Sequence, residues 1–547
     1  MPALSLADLD RSFAAEPHLH LVKEMQLNPG GVDPLGLRQI NLNLMDTALP
    51  GINNVTRHVR PYAFMAWAWW KVAQAAEARG ASTVNVADLQ DVVDRLEVLF
   101  VWSHFLAGDG EGLPGRLVIN DKFPSSGSTR AYDFHGEGWK SLKAVRRTST
   151  GIMAPIQYGP SIRALGWLIQ TQERALRPSS EAMAAVAALD REIAGRVPEA
   201  MLVPGPLSMG ADQAEALHPA WTVGTPGAAE RDAFRSLFHG VGAHAPTDSL
   251  PWRRRQTLDL VLAVLGQAQE GMGVAEVRRA MASARTDVGR PLDLPEPLVA
   301  THRHWASLQA RQLQRLALES LLRWIEIRID EDRSLSEDLA ADADEAARAV
   351  EDGADALTVG AYLDRASARA GAEGWPGACG LGGETDIFDL MDDLVAAQSE
   401  EGCVRVPGLA LRALAYADGM AAALSEAGIL AGRQGPLGGE PDRLPLSTAS
   451  QRLRAARDRS LGSLWAEIIE AWVIGQHVRW SVARNGDGTQ RLRIALGDRG
   501  WIRLRAGRLS GPFAPTSDRL WTAMALAAEC GLVGRSPTSD GDAYVAA

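Results

Sequence analysis

Lysine is nearly missing from this 547-residue chain: it has five, Lys23, Lys71, Lys122, Lys140 and Lys143, against 51 arginines, and none in the last 404 positions. GC-rich coding drift accounts for such a swap, and its chemical consequences hold whatever the cause. A Walker loop needs Lys directly after Gly to reach the β/γ-phosphates, and no Gly-Lys pair exists. The chain is therefore not a P-loop ATPase on its own. A standard restriction-type nuclease core needs an acid two residues before a Lys, where this chain has Leu21, Trp69, Asn120, Gly138 and Ser141. Cysteine is as scarce. Cys379, Cys403 and Cys530 are isolated, which excludes paired zinc spacing and a secreted disulfide scaffold and reads as core residues in a reducing compartment. There is no Gly-x-Ser-x-Gly elbow and no His-Glu-x-x-His helix. His135-Gly136-Glu137 lacks the Pro-Cys-x-x-Cys that would complete a deaminase zinc site.

Long apolar runs are missing too. The richest stretches, Tyr62 to Trp70 and Val98 to Ala107, fall short of the roughly 20 residues a span needs, and the first residues carry acids but no basic n-region. A cytoplasmic protein without a membrane partner is expected. What is present, 46% hydrophobic and 22% charged residues, is the balance of a folded chain, with 16 Trp anchoring largely aliphatic cores.

Apolar residues return every three or four positions through most of the chain, predicting a mainly α, multi-domain protein. Pro61 suits the first turn of a helix reaching about Arg79, with Gly80 as its cap, and Ala87 to Ala107 predicts a second helix ending at Gly108. Residues 108–160 are rich in Gly, Pro and Ser and predict loops with a small β-containing region near 110–160, for instance at Arg116 to Ile119. Helices resume with Trp252 to Leu265 and a long one from about Pro297 to Ile329. The expected division is 1–160, an N-terminal helical domain; 161–329, a helical middle domain; 330–401, an acidic insert or linker; and 402–547, a basic C-terminal domain with a hairpin at 490–506. The acidic stretch holds 20 acids against 4 arginines, and the whole chain is −11, so the remainder is net positive. The acids are a solvated face or a polyanion mimic covering a basic site. Residues 431–520 reverse the balance, with 15 arginines against 8 acids.

The strongest local signal is DPLGLRQINLNLMDTALPGINNVTRHVRPYAFMAWAWW, residues 33–70. Leu37, Ile40 and Leu44 share a helix face, Pro50-Gly51 makes a turn, and Asn53, Asn54 and Thr56 are capping types. Arg57, His58 and Arg60 then precede a helix N-terminus, whose dipole already repels cations, so an anion must answer them. A phosphate or nucleic-acid backbone would serve, and so would a carboxylate such as Asp33, Asp46 or Glu97. The pattern Leu35-Gly36, Leu49-Pro50-Gly51-Ile52-Asn53, Thr56-Arg57, Arg60, Tyr62, Phe64, Trp67 resembles the opening of an uncharacterised bacterial domain family, LG-(x)n-PG-(S/N)-x-x-TR-x-R-Y-x-F-x-x-W. It departs at Pro61, which is inserted, and at the Asn residues that follow Pro-Gly. Members of that family tend to occur beside phage-defence and restriction-like genes. The resemblance implies a defence context and carries over no catalytic residue.

Two further basic groups stand out. Ser249 predicts a cap before Pro251, Trp252 and the consecutive Arg253, Arg254 and Arg255. In QRLRIALGDRGWIRLRAGRLS, Leu492, Ile494 and Leu496 alternate with Arg491 and Arg493, and Ile502 and Leu504 with Arg503 and Arg505, around an Asp498-Arg499-Gly500 turn. If the register pairs like faces, four arginines line one side of a basic hairpin, which then needs a nucleic-acid backbone or an acidic protein surface. Trp480 and Trp501 read as core residues or as stacking platforms.

An enzyme would draw on Glu97 and His104, two turns apart on one helix, with Asp133 and His135 from the following loop and Arg57 and Arg60. More often such acids and imidazoles satisfy internal arginines. Asp386, Asp389, Asp392 and Asp393 line one helix side opposite Ile387, Leu390 and Leu394, as a solvated face does, and His302 and His304 diverge on their helix. No metal or cofactor is expected. The leading expectation is a nucleic-acid-engaging or adaptor subunit of a bacterial anti-phage system, without its own ATPase and working with proteins encoded nearby. Its partners are a DNA or RNA backbone or those proteins. The alternatives are a nuclease or nucleotide-modifying enzyme, and a scaffold or homo-oligomer joined through acidic and basic surfaces.

Overall fold

Local capping chemistry marks several of the helices in the computed structural model, which describes residues 33–547 except 80–84, 147–153, 172–174, 241–244, 370–373, 376–385, 431, 433–434, 484–490, 505–508 and 540. Asp33 accepts the Leu37 and Arg38 amides at the start of Arg38–Ala48. Helix Arg60–Ala78 carries Pro61 in its first turn, where a missing N–H costs nothing. Helix Val86–Ala107 is capped by Asn85 and stops at Gly108, which is left-handed at φ +80°. Ser249 accepts the Trp252 amide and opens Leu250–Gln267. The long helix is Glu296–Asp330.

The protein is mainly α-helical, and among the described residues its β structure is four antiparallel two-stranded pairs. The segment Arg116–Lys122 is helical, not β-like, since Gly115, left-handed, starts a helix that puts Ile119 into the core. The strand of that region is Ala131–Asp133, which pairs with Ser208–Gly210. The C-terminal hairpin forms as Ile494–Gly497 against Gly500–Arg503, and a second one, Val533–Thr538 with Gly541–Ala546, follows helix Leu520–Glu529.

Two hydrophobic cores hold these elements. The first gathers residues from Ile40 to Leu308 and then takes Leu520, Met524, Leu526, Val533 and Tyr544 from the far end of the chain. The second gathers Leu35, Leu37 and most apolar residues from Ala306 to Ile494. The acidic stretch 330–401 contributes helices Ser336–Val350, Val359–Arg369 and Ile387–Ala397, whose apolar faces lie in that second core. Its Gly-rich GACGLGG and Cys379 lie outside the described residues. Core membership thus crosses the compositional boundaries, because residues 520–544 return to the first core.

The helix Glu296–Asp330 joins the two cores, and its polar side is buried as well. Gln312 and Gln314 are buried, Arg311 donates to the carbonyls of Leu37, Arg443 and Leu444, and Arg315 pairs with Glu319. The segment Ser510–Asp518 lies along this helix with side chains serving as its hydrogen-bonding partners. Glu326 accepts the Ser510 amide, Gln398 holds both the amide and carbonyl of Phe513, Arg315 donates to Ala514, and Gln312 holds both backbone groups of Thr516. Buried backbone that joins no sheet is satisfied this way.

Candidate functional site

Several residues of the opening signature have a structural task. Gly36, at φ +71°, lies so close to Trp480 that a Cβ would come within 2.4 Å of the indole. Gly51, at φ +81°, leaves no room for a Cβ beside Ala164. Asn53 accepts the amides of Val55 and Thr56. Tyr62 bonds Ser161, Phe64 stacks on Phe100 at 4.4 Å, and the Trp67 indole donates to Asp190.

Two cations of the signature, His58 and Arg60, are answered by carboxylates other than Asp33, Asp46 and Glu97. Arg60 is fully buried, with Nε 2.9 Å from Glu230, Glu192 at 3.5 Å and the Thr225 carbonyl at 2.7 Å. Glu529 reaches across from the C-terminal helix, accepting the Val59 amide and pairing with His58 Nδ1, both at 2.7 Å. It supplies negative charge at the N-terminus of Arg60–Ala78. Burial pulls the His58 imidazole down, but Glu529 and the Glu111 carbonyl outweigh it and Arg57, leaving the pKa above its ordinary value. The Arg57 guanidinium stacks 3.7 Å over Trp521. Asp33 caps a helix and Asp46 pairs with Arg519.

Arg254 is buried without a carboxylate. It donates to the Leu237 and Phe238 carbonyls, at the C-terminal end of helix Ala228–His239, and to Pro50, and burial lowers its pKa to about 10. The negative pole of that helix takes the place of an anion. Arg255 pairs loosely with Asp259, and half-buried Arg253 lines a cavity of about 960 Å³ with Asp248, Gln256 and His304.

The basic hairpin does not separate its faces as expected. Its register sets Ile494 opposite Arg503 and Ala495 opposite Ile502, so apolar and basic positions share sides. Arg503 forms a two-pronged pair with Asp330, and Arg493 meets Glu326 at 2.5 Å, both acids belonging to the end of the long helix. The Trp501 amide and indole bond Ser334 and Ser336. Arg491 is half-buried beside the hairpin, and Arg505 lies outside the described residues. The exposed positions include Leu496 at 71%, Ile502 at 47% and Leu504 at 39%, besides the turn residues Asp498 and Arg499. Trp480 is buried and Trp501 packs against the second core.

The polar set proposed for catalysis is dispersed. Glu97 and His104 are buried in helix Val86–Ala107, whereas Asp133 and His135 form an exposed pair 3.8 Å apart, with Ser208 on Asp133. Asp386 caps its helix and shares Arg279 with Asp389, and Asp392 and Asp393 face solvent. His302 and His304 bond the carbonyls of Met281 and Leu44 separately.

The structure gathers a different group, of which the sequence flagged only His104. The His104 Nδ1–H donates to the Phe100 carbonyl at 2.7 Å, and Nε2 accepts the Val223 amide at 3.0 Å. Burial lowers its pKa to about 4, so the ring is neutral at physiological pH. His218 lies edge-on at 4.9 Å between ring centres and bonds Asp109 at 2.6 Å, and Thr222 donates to the same carboxylate oxygen. Asp109 and His218 are 109 positions apart, a separation that offers no local signal. Neither family models, curated proteins nor solved structures show a match to this chain.

Proposed function

We propose that this chain is an adaptor subunit without an ATPase of its own, working in the bacterial anti-phage setting implied by its opening segment and engaging a protein encoded nearby. One observation carries the reading. Arg493 and Arg503 are held by Glu326 and Asp330, while Leu496, Ile502 and Leu504 face outward from the same hairpin. Arginines already held by carboxylates, one of them the buried Glu326, resist exchange for a polyanion, whereas exposed apolar side chains, Leu496 on one face of the hairpin and Ile502 and Leu504 on the other, favour a protein surface. Arg60 and Arg254 are likewise spent inside the fold.

Two measurements test this together. Proteins encoded beside this chain are co-expressed with it, and one co-purifies with the wild type but not with the Leu496→Asp/Ile502→Asp variant. Labelled duplex DNA, single-stranded DNA and RNA are titrated at low and physiological salt, and binding is weak and unaffected when Arg491, Arg493, Arg503 and Arg505 are replaced by Ala. Tight, salt-steep binding that this variant abolishes would return the hairpin to the nucleic-acid reading.

A further inference from the structure

Among the described residues one trio of His, Cys, Asp or Glu side chains brings its ligand atoms within 4.8 Å of one another: His104, Asp109 and His218. We propose that these three form a binding site for a divalent transition metal of the zinc class, a function separate from the hairpin surface. Two imidazoles and one carboxylate are the donor set that selects zinc and its neighbours over magnesium or calcium.

Four features of the geometry support a metal site over a plain polar cluster. The bond from His104 Nδ1–H to the Phe100 carbonyl fixes the tautomer, so that Nε2 carries the lone pair, which the Val223 amide now occupies, within 4.8 Å of donor atoms of the other two residues. Ligating histidines are oriented by the same kind of outer hydrogen bond. The Asp109 oxygen Oδ1 is buried and accepts no hydrogen bond, while Oδ2 takes both His218 and Thr222. A carboxylate with one buried lone-pair set unused is suited to a cation. The site also lies at the C-terminal end of the 22-residue helix Val86–Ala107, just past Gly108, where the dipole favours positive charge. Finally, Asp109 and His218 keep 38% and 21% of their side chains exposed, so an ion can enter from solvent.

Binding exchanges two existing contacts. The ion takes the His104 lone pair that now accepts the Val223 amide, and the proton between His218 Nε2 and Asp109 Oδ2 passes through solvent to His218 Nδ1, so that a neutral ring offers its Nε2 lone pair. Tetrahedral zinc with bonds of about 2.0 Å sets its donors about 3.3 Å apart, so the 2.6 Å His218–Asp109 contact opens slightly and the wider separations, none above 4.8 Å, close by shifts of about 1 Å. Three protein donors leave a fourth position for water or for a group of a partner. His58 bonds the carbonyl of Glu111, two residues past Asp109 in the same loop.

The test is a Co²⁺ titration of the full chain stripped with a chelator, read by visible ligand-field absorption, with Zn²⁺ competing the signal away. One ion per chain is expected, weakened ~10-fold or more by Asp109→Asn or His218→Ala and eliminated in the double variant. Both residues are partly exposed, and unchanged circular dichroism and unfolding midpoint separate loss of the ion from loss of the fold. Asp109→Asn keeps the side-chain shape if His218→Ala proves unstable. Absence of uptake by the wild-type chain, or equal uptake by the double variant, overturns the site.

Discussion

Arg60 illustrates how a single cation in this chain is decided by residues remote from it. Its partners Glu192 and Glu230 are more than 130 positions away, and it sits with no solvent exposure. Replacing Arg60 with Ala leaves Glu230 buried and unpaired, which is expected to cost about 3 to 5 kcal/mol in urea unfolding. Lys at the same position recovers only part of this, because it cannot reach both acids and the Thr225 carbonyl in one plane. His58 gives a pH dependence whose sign is fixed. Glu529 faces it on one side, with Arg57 and the Glu111 carbonyl nearby, and its folded pKa is raised. The stability it contributes is therefore complete below about pH 6.5, the ordinary histidine value, and is lost as pH climbs through the raised folded pKa. In His58→Gln, the unfolding free energy is expected to lose this decline; an identical pH profile in wild type and variant would refute the assignment.

At the scale of elements, the helices were legible because their signals are local. Asn85 and Gly108 bracket one helix and Ser249 opens another, each through residues adjacent to the ends they cap. Arg116 to Ile119 reads as a strand because the β-branched pair Val118 and Ile119 mimics one, while burial of Ile119 in the core decides for a helix. The Ser510–Asp518 segment was illegible, since its backbone partners are side chains of distant helices. Gln398→Leu removes both hydrogen bonds to Phe513 at once, and a loss of about 2 kcal/mol is expected from the two orphaned backbone groups. Hydrogen exchange reads it directly, as faster exchange at the Phe513 amide with helix Glu296–Asp330 still protected. Gly36→Ala meets the Trp480 ring in a left-handed conformation, and about 1 to 3 kcal/mol of destabilisation follows, visible as a lower unfolding midpoint.

At the scale of the whole molecule, the first core closes only when residues 520–544 return to it, with Leu520, Met524 and Tyr544 buried among residues of the N-terminal half. Deleting 520–547 is expected to unfold that core, not merely trim an end, because several large apolar side chains leave together and Glu529 is lost from the start of helix Arg60–Ala78. Circular dichroism of the truncated chain checks this: a native helical signal with an unchanged midpoint would show that the return is dispensable.

The sequence by itself determined the mainly helical class, the bounds of a few helices such as those ending at Gly108 and opening at Ser249, the turn of the 494–503 hairpin and the missing phosphate loop, because capping, periodicity and motif spacing act within a few residues of one another. Tertiary structure alone decided what each arginine meets. It set Glu529 against His58, the end of a helix against Arg254 and Asp330 against Arg503. It also placed Asp109 and His218 beside His104. Such pairings are chosen when distant segments pack, because a buried charge must find a partner wherever the chain brings one.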